Sequence, residues 1–325
     1  MSDKNRERNI LISGASGNIG SKLISNLVSK GHNVTSLTSK PFDEVGVKNR
    51  NKRIRVIQVM DWTKIPKIET DQIDVFVHLS GQTSSYVARN DIRRDLETNL
   101  MSLVQIINNI LLNQNLIKKV VLAGSMTQYG QVDKLPIDEG FPVSNPTYYE
   151  MIKNFNEVFI ARVAEEKKIE SYNFLRLANV YGGVNQVQAN RGFIDTSIAL
   201  AVRGEPLCFY GDGTYIRDYV FIDDVVQAFE KSITINTPHY NGPYNIGSGV
   251  GTPIKEVLQK ISHQAKELFN KHVPVVGREF SDTAYGIERR NSVTNSDLFK
   301  SHTGWAPSIF IDDGISRIMD RYKSV

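Results

Sequence analysis

The sequence is short of the features that would set it apart from ordinary globular proteins. It holds one cysteine, Cys208, in 325 residues. No disulfide framework is available, and the reducing cytoplasm is the expected compartment. Long apolar runs are missing as well. Met1 to Asn9 is charged, and the apolar stretch after it is only a strand's length before glycines interrupt it. Neither a signal peptide nor a transmembrane helix is expected. Charge of one sign is scarce: 39 basic residues against 35 acidic ones leave a net +4, which gives no argument for nucleic acid. The six histidines are scattered, without an HExxH or a cysteine cluster, so no metal site is expected, and His78 reads as packing at a strand end. There is no internal repeat, heptad series or acidic tail, and the basic stretch Lys48 to Arg55 reads as a solvated loop. What is present, 40% hydrophobic and 23% charged residues, suits an enzyme-sized chain with a substantial core.

The first half alternates short apolar strands with helical periodicity. Asn9 to Ser13 reads as a buried strand. Lys22 to Lys30, with Leu23, Ile24, Leu27 and Val28 at helical spacing, reads as a helix ended by Gly31. Strands are predicted at His32–Thr38, Ile54–Val59, Ile73–Leu79, Lys119–Leu122 and Tyr172–Leu177, and helices at Asp95–Gln114 and Tyr148–Glu166. This order means βαβ units and a parallel sheet covered on both faces: an α/β, Rossmann-type doubly wound fold. After Gly182 turns multiply. Residues 1–182 are expected to form the dinucleotide-binding domain, and residues 183–325 a smaller α/β part with some segments returning to the sheet.

Three glycines follow the first strand in Ser13-Gly14-Ala15-Ser16-Gly17-Asn18-Ile19-Gly20. The first suits a tight turn, the second a close approach to a pyrophosphate, the third tight helix–strand packing. A helix starting here aims its N–H groups and positive dipole end at phosphates. Gly14, Ser16, Gly17, Asn18, Ile19 and Gly20 are therefore cofactor-binding candidates. An NAD-binding domain usually ends its second strand in Asp or Glu. Here the stretch runs Val34 to Lys40 without an acid, and Ser39 and Lys40 suit a 2′-phosphate. NADP(H) is favoured, with NAD(H) as the alternative.

Tyr149 and Lys153 stand four apart at the start of a predicted helix, on one face. A tyrosine working near neutrality must lose roughly three units from a pKa of about 10, or about 4 kcal/mol. A neighbouring ammonium and a nicotinamide cation can supply that. Ser125, at the end of the preceding strand, falls where open α/β sheets bind ligands and can hold the oxygen that gains or loses the proton.

With these motifs the sequence resembles an extended short-chain dehydrogenase/reductase of the NAD(P)-dependent nucleotide-sugar epimerase/dehydratase family. The likeness runs over almost the whole chain. It includes His78-Leu79-Ser80-Gly81-Gln82, Asn99, Ser125 to Gly130, Leu175 to Gly182, Tyr210 to Val225, Tyr244 to Gly249 and Gly304-Trp305-Ala306-Pro307. The resemblance implies that Asp61 and Trp62 lie against the adenine, and Leu79, Ser80 and Gly81 along the cofactor. Asn99 would brace the active-site backbone, Thr83 would face the sugar, and Asn179 and Arg217 would hold the substrate diphosphate. For Arg217 the chemistry agrees, since a guanidinium donates in a fork to phosphate oxygens; the alternative is an ion pair with Asp218. Arg290 matches one member of the family's basic pair near the C-terminus. Tyr285 stands where another arginine is common, with Arg289 as a substitute. The helices at Asp95–Gln114 and Tyr148–Glu166 would form a four-helix homodimer contact.

The family's dehydratases carry an Asp-Glu pair just after the catalytic hydroxyl residue. Met126 and Thr127 occupy those positions, so 4,6-dehydration is not expected. Redox chemistry at a sugar carbon remains, most often C4. A 4-ketoreductase consuming NADPH is the first expectation, and a 4-epimerase retaining NAD the alternative. A cofactor-sensing or scaffold protein without turnover is a third, against which Ser125, Tyr149 and Lys153 argue. The expected partner is a nucleotide-diphosphate sugar, with neither nucleic acid nor membrane.

Overall fold

The computed structural model describes residues 6–40, 51–65, 67, 72–83, 85–113, 116–166, 169–183, 192–235, 240–280 and 286–323. The C-terminal end of the predicted helix at Gln114, part of the basic stretch from Lys48, and Tyr285 lie outside these residues. In chain order the first elements are β1 (Asn9–Ser13), α1 (Asn18–Ser29), β2 (Asn33–Thr38), β3 (Ile54–Gln58), β4 (Val75–His78), α2 (Ser85–Asn90) and α3 (Ile92–Asp95). A π-helical turn (Leu96–Met101) leads into α4 (Ser102–Asn109), then β5 (Ile117–Ser125), α5 (Tyr148–Glu165), β6 (Ile169–Leu177), β7 (Asn179–Tyr181) and α6 (Phe193–Arg203). The remainder comprises β8 (Leu207–Tyr210), β9 (Ile216–Phe221), α7 (Ile222–Thr234), β10 (Gly242–Ile246), β11 (Gly251–Pro253), α8 (Ile254–Phe269), β12 (Val275–Arg278), α9 (Asp297–Thr303) and α10 (Ile311–Tyr322).

Seven strands form one parallel sheet in the order β10-β6-β5-β4-β1-β2-β3. Side chains alternate across it, as the period of a strand requires. Ile10, Ile12, Val75, Val77, Val121 and Leu175 join one core with α1 and α7. Leu11, Phe76, Val120, Leu122 and Phe174 join another with α4 and α5. The sheet is therefore covered on both faces. The chain leaves β1 toward β2 and β3, then crosses to β4 on the other side, which opens a crevice at the carboxyl ends of β1 and β4. From the C-terminal half, β10 pairs with β6, while β11-β9-β7 and β12-β8 make two smaller sheets.

One difference from the sequence reading concerns the helix predicted at Asp95–Gln114. The backbone is helical without interruption from Ile92 to Asn109, but not α-helical throughout. The π turn at Leu96–Met101 separates α3 from α4, and a 3-10 turn follows at Leu111–Asn113. The apolar spacing that suggested one helix survives in Leu103, Ile106 and Ile107, but polar side chains at Asp95 and Asn99 turn inward and widen the backbone.

Beneath the sheet's edge, Arg176 of β6 meets Glu157 of α5 at 2.6 Å, their side chains 6% and 7% exposed. Gln128 donates to Glu157 at 2.9 Å, and Arg176 donates to the Tyr129 hydroxyl at 2.8 Å. Breaking such a buried pair strands one charge. Arg176→Met should destabilise the fold by about 3–5 kcal/mol, read as a lower midpoint in chemical denaturation; a midpoint at the parent value would contradict this account.

Candidate functional site

The glycine turn closes the crevice from below. Gly14 has φ +75°, and a Cβ there would lie 2.5 Å from both Leu79 C and Ser80 N, so only glycine lets the first and fourth strands' loops meet. A Cβ at Gly20 would collide with the Gly14 carbonyl oxygen, so α1 packs against the turn. Gly17 caps α1 without a side-chain hydrogen bond, and no acid occupies its first turn. The helix thus presents its N-terminal N–H groups and positive dipole end to the crevice. Asn18 lies against the Gly182-Gly183 turn, where a Gly183 Cβ would come within 2.7 Å of its amide. At the end of β2, Thr38 Oγ1 donates to Ser16 Oγ at 3.0 Å and accepts from Lys40 N at 3.1 Å. Ser39 and Lys40 are exposed there.

Asp61, beyond β3, is tied to Thr63 N (2.9 Å) and Thr63 Oγ1 (2.6 Å), and these bonds hold its carboxyl below the usual range. Trp62 packs partly into the core beside it. After β4, Leu79, Ser80, Gly81, Gln82 and Thr83 form the opposite wall, with Gly81 and Thr83 exposed. Ser80 Oγ and Asn99 Oδ1 are buried without a hydrogen-bond partner among the described residues. A Gly81 Cβ would run into Asn99 Oδ1, so Asn99 supports this wall from behind. The Asn99 carbonyl accepts from Asn156 Nδ2 at 2.8 Å. His78 is buried, with Nδ1 2.7 Å from Ser13 Oγ.

Ser125 ends β5. Its N–H donates to Gln128 Oε1 (2.8 Å), and its Oγ accepts from Thr127 N (3.3 Å) and lies 2.8 Å from Thr127 Oγ1. Tyr149 and Lys153 lie one turn apart on the buried face of α5, with Lys153 Nζ 5.8 Å from the Tyr149 ring centre. Lys153 Nζ donates to the Ala123 carbonyl at 2.9 Å. The structure therefore gathers Ser125, Tyr149 and Lys153 at the carboxyl edge. Burial and the negative charges of Glu150 and Asp95 raise the Tyr149 phenol, while a hydrogen bond from Ser125 pulls the other way. Burial pushes Lys153 down to about 8, against the pull of Asp95 and Glu157.

In the C-terminal half Arg217 and Arg290 are both buried. Arg217 donates to the carbonyls of Ile216 (3.1 Å), Glu288 (2.7 Å) and Arg290. Arg290 Nη1 donates to Ile287 O at 2.9 Å. Burial and the like charge of Arg290 push the Arg217 guanidinium down to about 10. The ion pair with Asp218 is not formed: Asp218 accepts from Ser248 N, Ser248 Oγ, Gly249 N and Thr294 N. Asn179 Nδ2 donates to Asp218 O at 2.8 Å, bracing β7 against β9. Arg289 is exposed and stacks over Phe280, its guanidinium 5.0 Å from the ring centre. Among the described residues there is no group of acids, histidines and cysteine that could hold a metal ion, and no helix long and apolar enough to cross a membrane. Sequence reading gave no role to Asp95 or to the side chain of Gln82, although Gln82 closes the His78-Leu79-Ser80-Gly81-Gln82 run.

The topology and the crevice at its switch point define a Rossmann-type dinucleotide-binding enzyme. The model of the NAD dependent epimerase/dehydratase family matches residues 10–247, and the chain belongs to that family. It is 25% identical over 328 residues to a UDP-glucose 4-epimerase of Mycolicibacterium smegmatis, covering 97% of this chain and 98% of that one. To a dTDP-4-dehydro-6-deoxyglucose reductase of Escherichia coli it is 25% identical over 333 residues, 97% of each chain. A UDP-glucose 4-epimerase of Thermotoga maritima, solved with UDP-glucose, shares the fold with a TM-score of 0.82 at 23% identity, over 97% and 99% of the two chains.

His78 ties the site to acid stability. Burial, with the Lys153 charge, pushes its imidazole down to about 3 from 6.5. Between these values the unfolded chain holds a proton that the folded one does not, so stability falls as pH drops below 6.5. This group adds a slope of about 1.4 kcal/mol per pH unit. Denaturant titrations at several acid pH values should show a flatter limb for His78→Gln; an equal slope would exclude His78 as its source.

Proposed function

We propose that the protein is a 4-ketoreductase that reduces a 4-keto (deoxy)hexose carried on a nucleoside diphosphate, with NADPH as reductant. The observation that carries this reading is the end of β2, where Thr38, Ser39 and Lys40 replace the acid expected for an NAD ribose. A carboxylate there would repel a 2′-phosphate; an exposed serine and lysine attract one. The crevice fits a dinucleotide: an uncapped helix N-terminus faces it, Gly14 and Gly20 admit no Cβ, and Ser80 Oγ and Asn99 Oδ1 stand buried without a hydrogen-bond partner among the described residues. Gly14, Ser16, Gly17, Asn18, Ile19 and Gly20 would hold the pyrophosphate. Asp61 and Trp62 would flank the adenine, Leu79, Ser80 and Gly81 would line the far wall, and Asn99 would brace it. When bound, the nicotinamide supplies the reducing equivalent at C4.

Tyr149, kept neutral by burial, hands its proton to the C4 carbonyl oxygen. The Ser125 hydroxyl holds the same oxygen. Lys153 brings an ammonium beside the phenol, so the charge left on Tyr149 is offset as it forms. Arg217 and Arg290 present two buried guanidiniums whose described hydrogen bonds all run to backbone carbonyls, an arrangement suited to a diphosphate. Thr83, exposed after β4, would face the sugar, and Asn179 braces β7 against β9. Met126 and Thr127 hold no carboxylate, so they lack the acid and base for water elimination. The second reading, a 4-epimerase that retains NAD, is supported by the mycobacterial relative.

The test is NADPH oxidation with UDP-, dTDP-, CDP- and GDP-linked 4-keto sugars. One NADPH should be consumed per sugar reduced. Tyr149→Phe should lower the rate by about 10²–10⁴ while still binding cofactor. Protein that purifies with tightly bound NAD and interconverts UDP-glucose and UDP-galactose unaided would replace this reading with the epimerase.

We also infer a homodimer. Tyr148, Met151, Phe155 and Val158 are 46%, 53%, 48% and 60% exposed along one side of α5, and Ile92 and Leu96 are exposed as well. A continuous apolar stripe of this kind suits a second copy of the same helices. Light scattering should give twice the chain mass, and Phe155→Asp should give the single mass; a monomeric parent at micromolar concentration would refute the contact.

A further inference from the structure

Under the loop that follows β4 lies a cluster of polar side chains of which the proposed function uses Asn99 alone. Asp95, at the junction of α3 and the π turn, has no exposed surface. Its Oδ1 accepts from Asn99 Nδ2 at 2.5 Å and from Gln82 Nε2. Asn99 Nδ2 also donates to the Gln82 carbonyl at 3.1 Å, so side chain and backbone of Gln82 are held by one pair of residues. An ionised carboxylate only accepts, which fixes the Gln82 amide with Nε2 inward. Asp95 Oδ2 is buried without a hydrogen-bond partner among the described residues. A brace alone would not need a charge, since a neutral amide can accept the same bonds without the cost of burying an anion.

The charges around the site give that anion a use. Tyr149 is faced by Glu150 from its own helix and by Asp95 from α3, with the neutral Ser125 hydroxyl on the β5 side. Lys153 is faced by Asp95 and, along its own helix, by Glu157; His78 of β4 feels its charge but is itself neutral. Burial raises the Asp95 carboxyl, and Glu150 adds to the rise, while the bonds from Gln82 and Asn99 and the charge of Lys153 hold it down; Glu150 itself is faced by Arg290. Among the described residues Asp95 is therefore the charge that Tyr149 and Lys153 share. We propose that Asp95 is a positioning residue of the active site, clamping the 79–83 loop through Gln82 and Asn99 and supplying the counter-charge of the Lys153 ammonium. The inference rests on the reading above only in taking Tyr149 and Lys153 as the working pair.

Two measurements that need no sugar substrate test it. Trace acetylation of Lys153, quantified by mass spectrometry across neutral and alkaline pH, reports its ionisation midpoint, near 8 in the parent protein. Asp95→Asn keeps the shape and removes the charge, so the ammonium loses support and the midpoint should fall by about one unit, a tenfold shift in the equilibrium. Gln82→Leu removes the clamp but keeps the charge: it should leave the midpoint in place and weaken NADPH and NADH binding about tenfold. A merely structural Asp95 would leave the midpoint unmoved in folded Asp95→Asn, and that result overturns the counter-charge. Parent-like cofactor binding by Gln82→Leu overturns the clamp, and decides it even if Asp95→Asn fails to fold. Failure of the ketoreductase reading would appear only in turnover and leave both measurements intact.

Discussion

The buried pair of Glu157 and Arg176 is the contact on which the rest of the edge depends. Taking two charges out of water costs several kcal/mol per ion, which attraction repays only when the remaining donors and acceptors are satisfied. Here they are. Glu157 Oε1 also receives Gln128 Nε2, and Arg176 Nη1 reaches the Tyr129 hydroxyl, which donates to Asn245 Oδ1 at 2.8 Å. Gln128 carries the chain of bonds upward to the Ser125 N–H, and Asn245 carries it sideways to Ile137 O and Glu139. Five segments that are distant in sequence thus share one network: the end of β5 with its 3-10 turn, the Ile137–Glu139 segment, α5, β6 and β10. The position of the Ser125 hydroxyl is a consequence of charge satisfaction some way below it.

The same helix shows how the site is economical in sequence. Tyr149, Lys153 and Glu157 recur at four-residue spacing, so one face of α5 presents a phenol, an ammonium and a carboxylate in turn. The upper two reach the crevice, and the lowest anchors the helix to β6. On the other face of the sheet α1 is fastened to α7 by Lys22–Asp223 (2.5 Å) and Lys30–Glu230 (2.5 Å). The C-terminus of α7 is met by Arg8, which donates to Ile233 O (2.6 Å) and Thr234 O (3.0 Å), and by Lys119, which donates to Ser232 O (3.1 Å) and Ile235 O (2.8 Å). Cations at a helix C-terminus satisfy orphan carbonyls and the dipole together. With α1 fixed along its length, its N-terminus is held at the switch point.

How much of this could be read from the sequence follows from how local each cause is. The β1 strand, the glycine turn and α1 are specified within about twenty residues by alternation, helical spacing and missing Cβ atoms, and Leu23, Ile24 and Leu27 are buried as their spacing requires. The Tyr149–Lys153 spacing is equally local. The π turn in the helix predicted at Asp95–Gln114 was not legible, because Gln82 and Asn156, the partners of its inward polar groups at Asp95 and Asn99, come from other elements. Arg217 is instructive in the same way. Its neighbour Asp218 invites an ion pair, but successive strand residues point to opposite faces. Asp218 instead closes the Ser248-Gly249 turn, and Arg217 turns toward Arg290, far along the chain.

The residue after next from Ser125 bears on what that serine can do. An acid at position 127 would be an acceptor only and would claim the Ser125 proton. Thr127 can donate instead, and its N–H already donates to Ser125 Oγ. Thr127 Oγ1 lies 2.8 Å from Ser125 Oγ as well, and Ser125 in turn hydrogen-bonds the Tyr149 phenol, so the two hydroxyls stand as one linked pair. Tyr149, neutral in its buried setting, offers a second proton at the same place. Two hydroxyl donors converging on one point suit a carbonyl oxygen that gains negative charge as it is reduced.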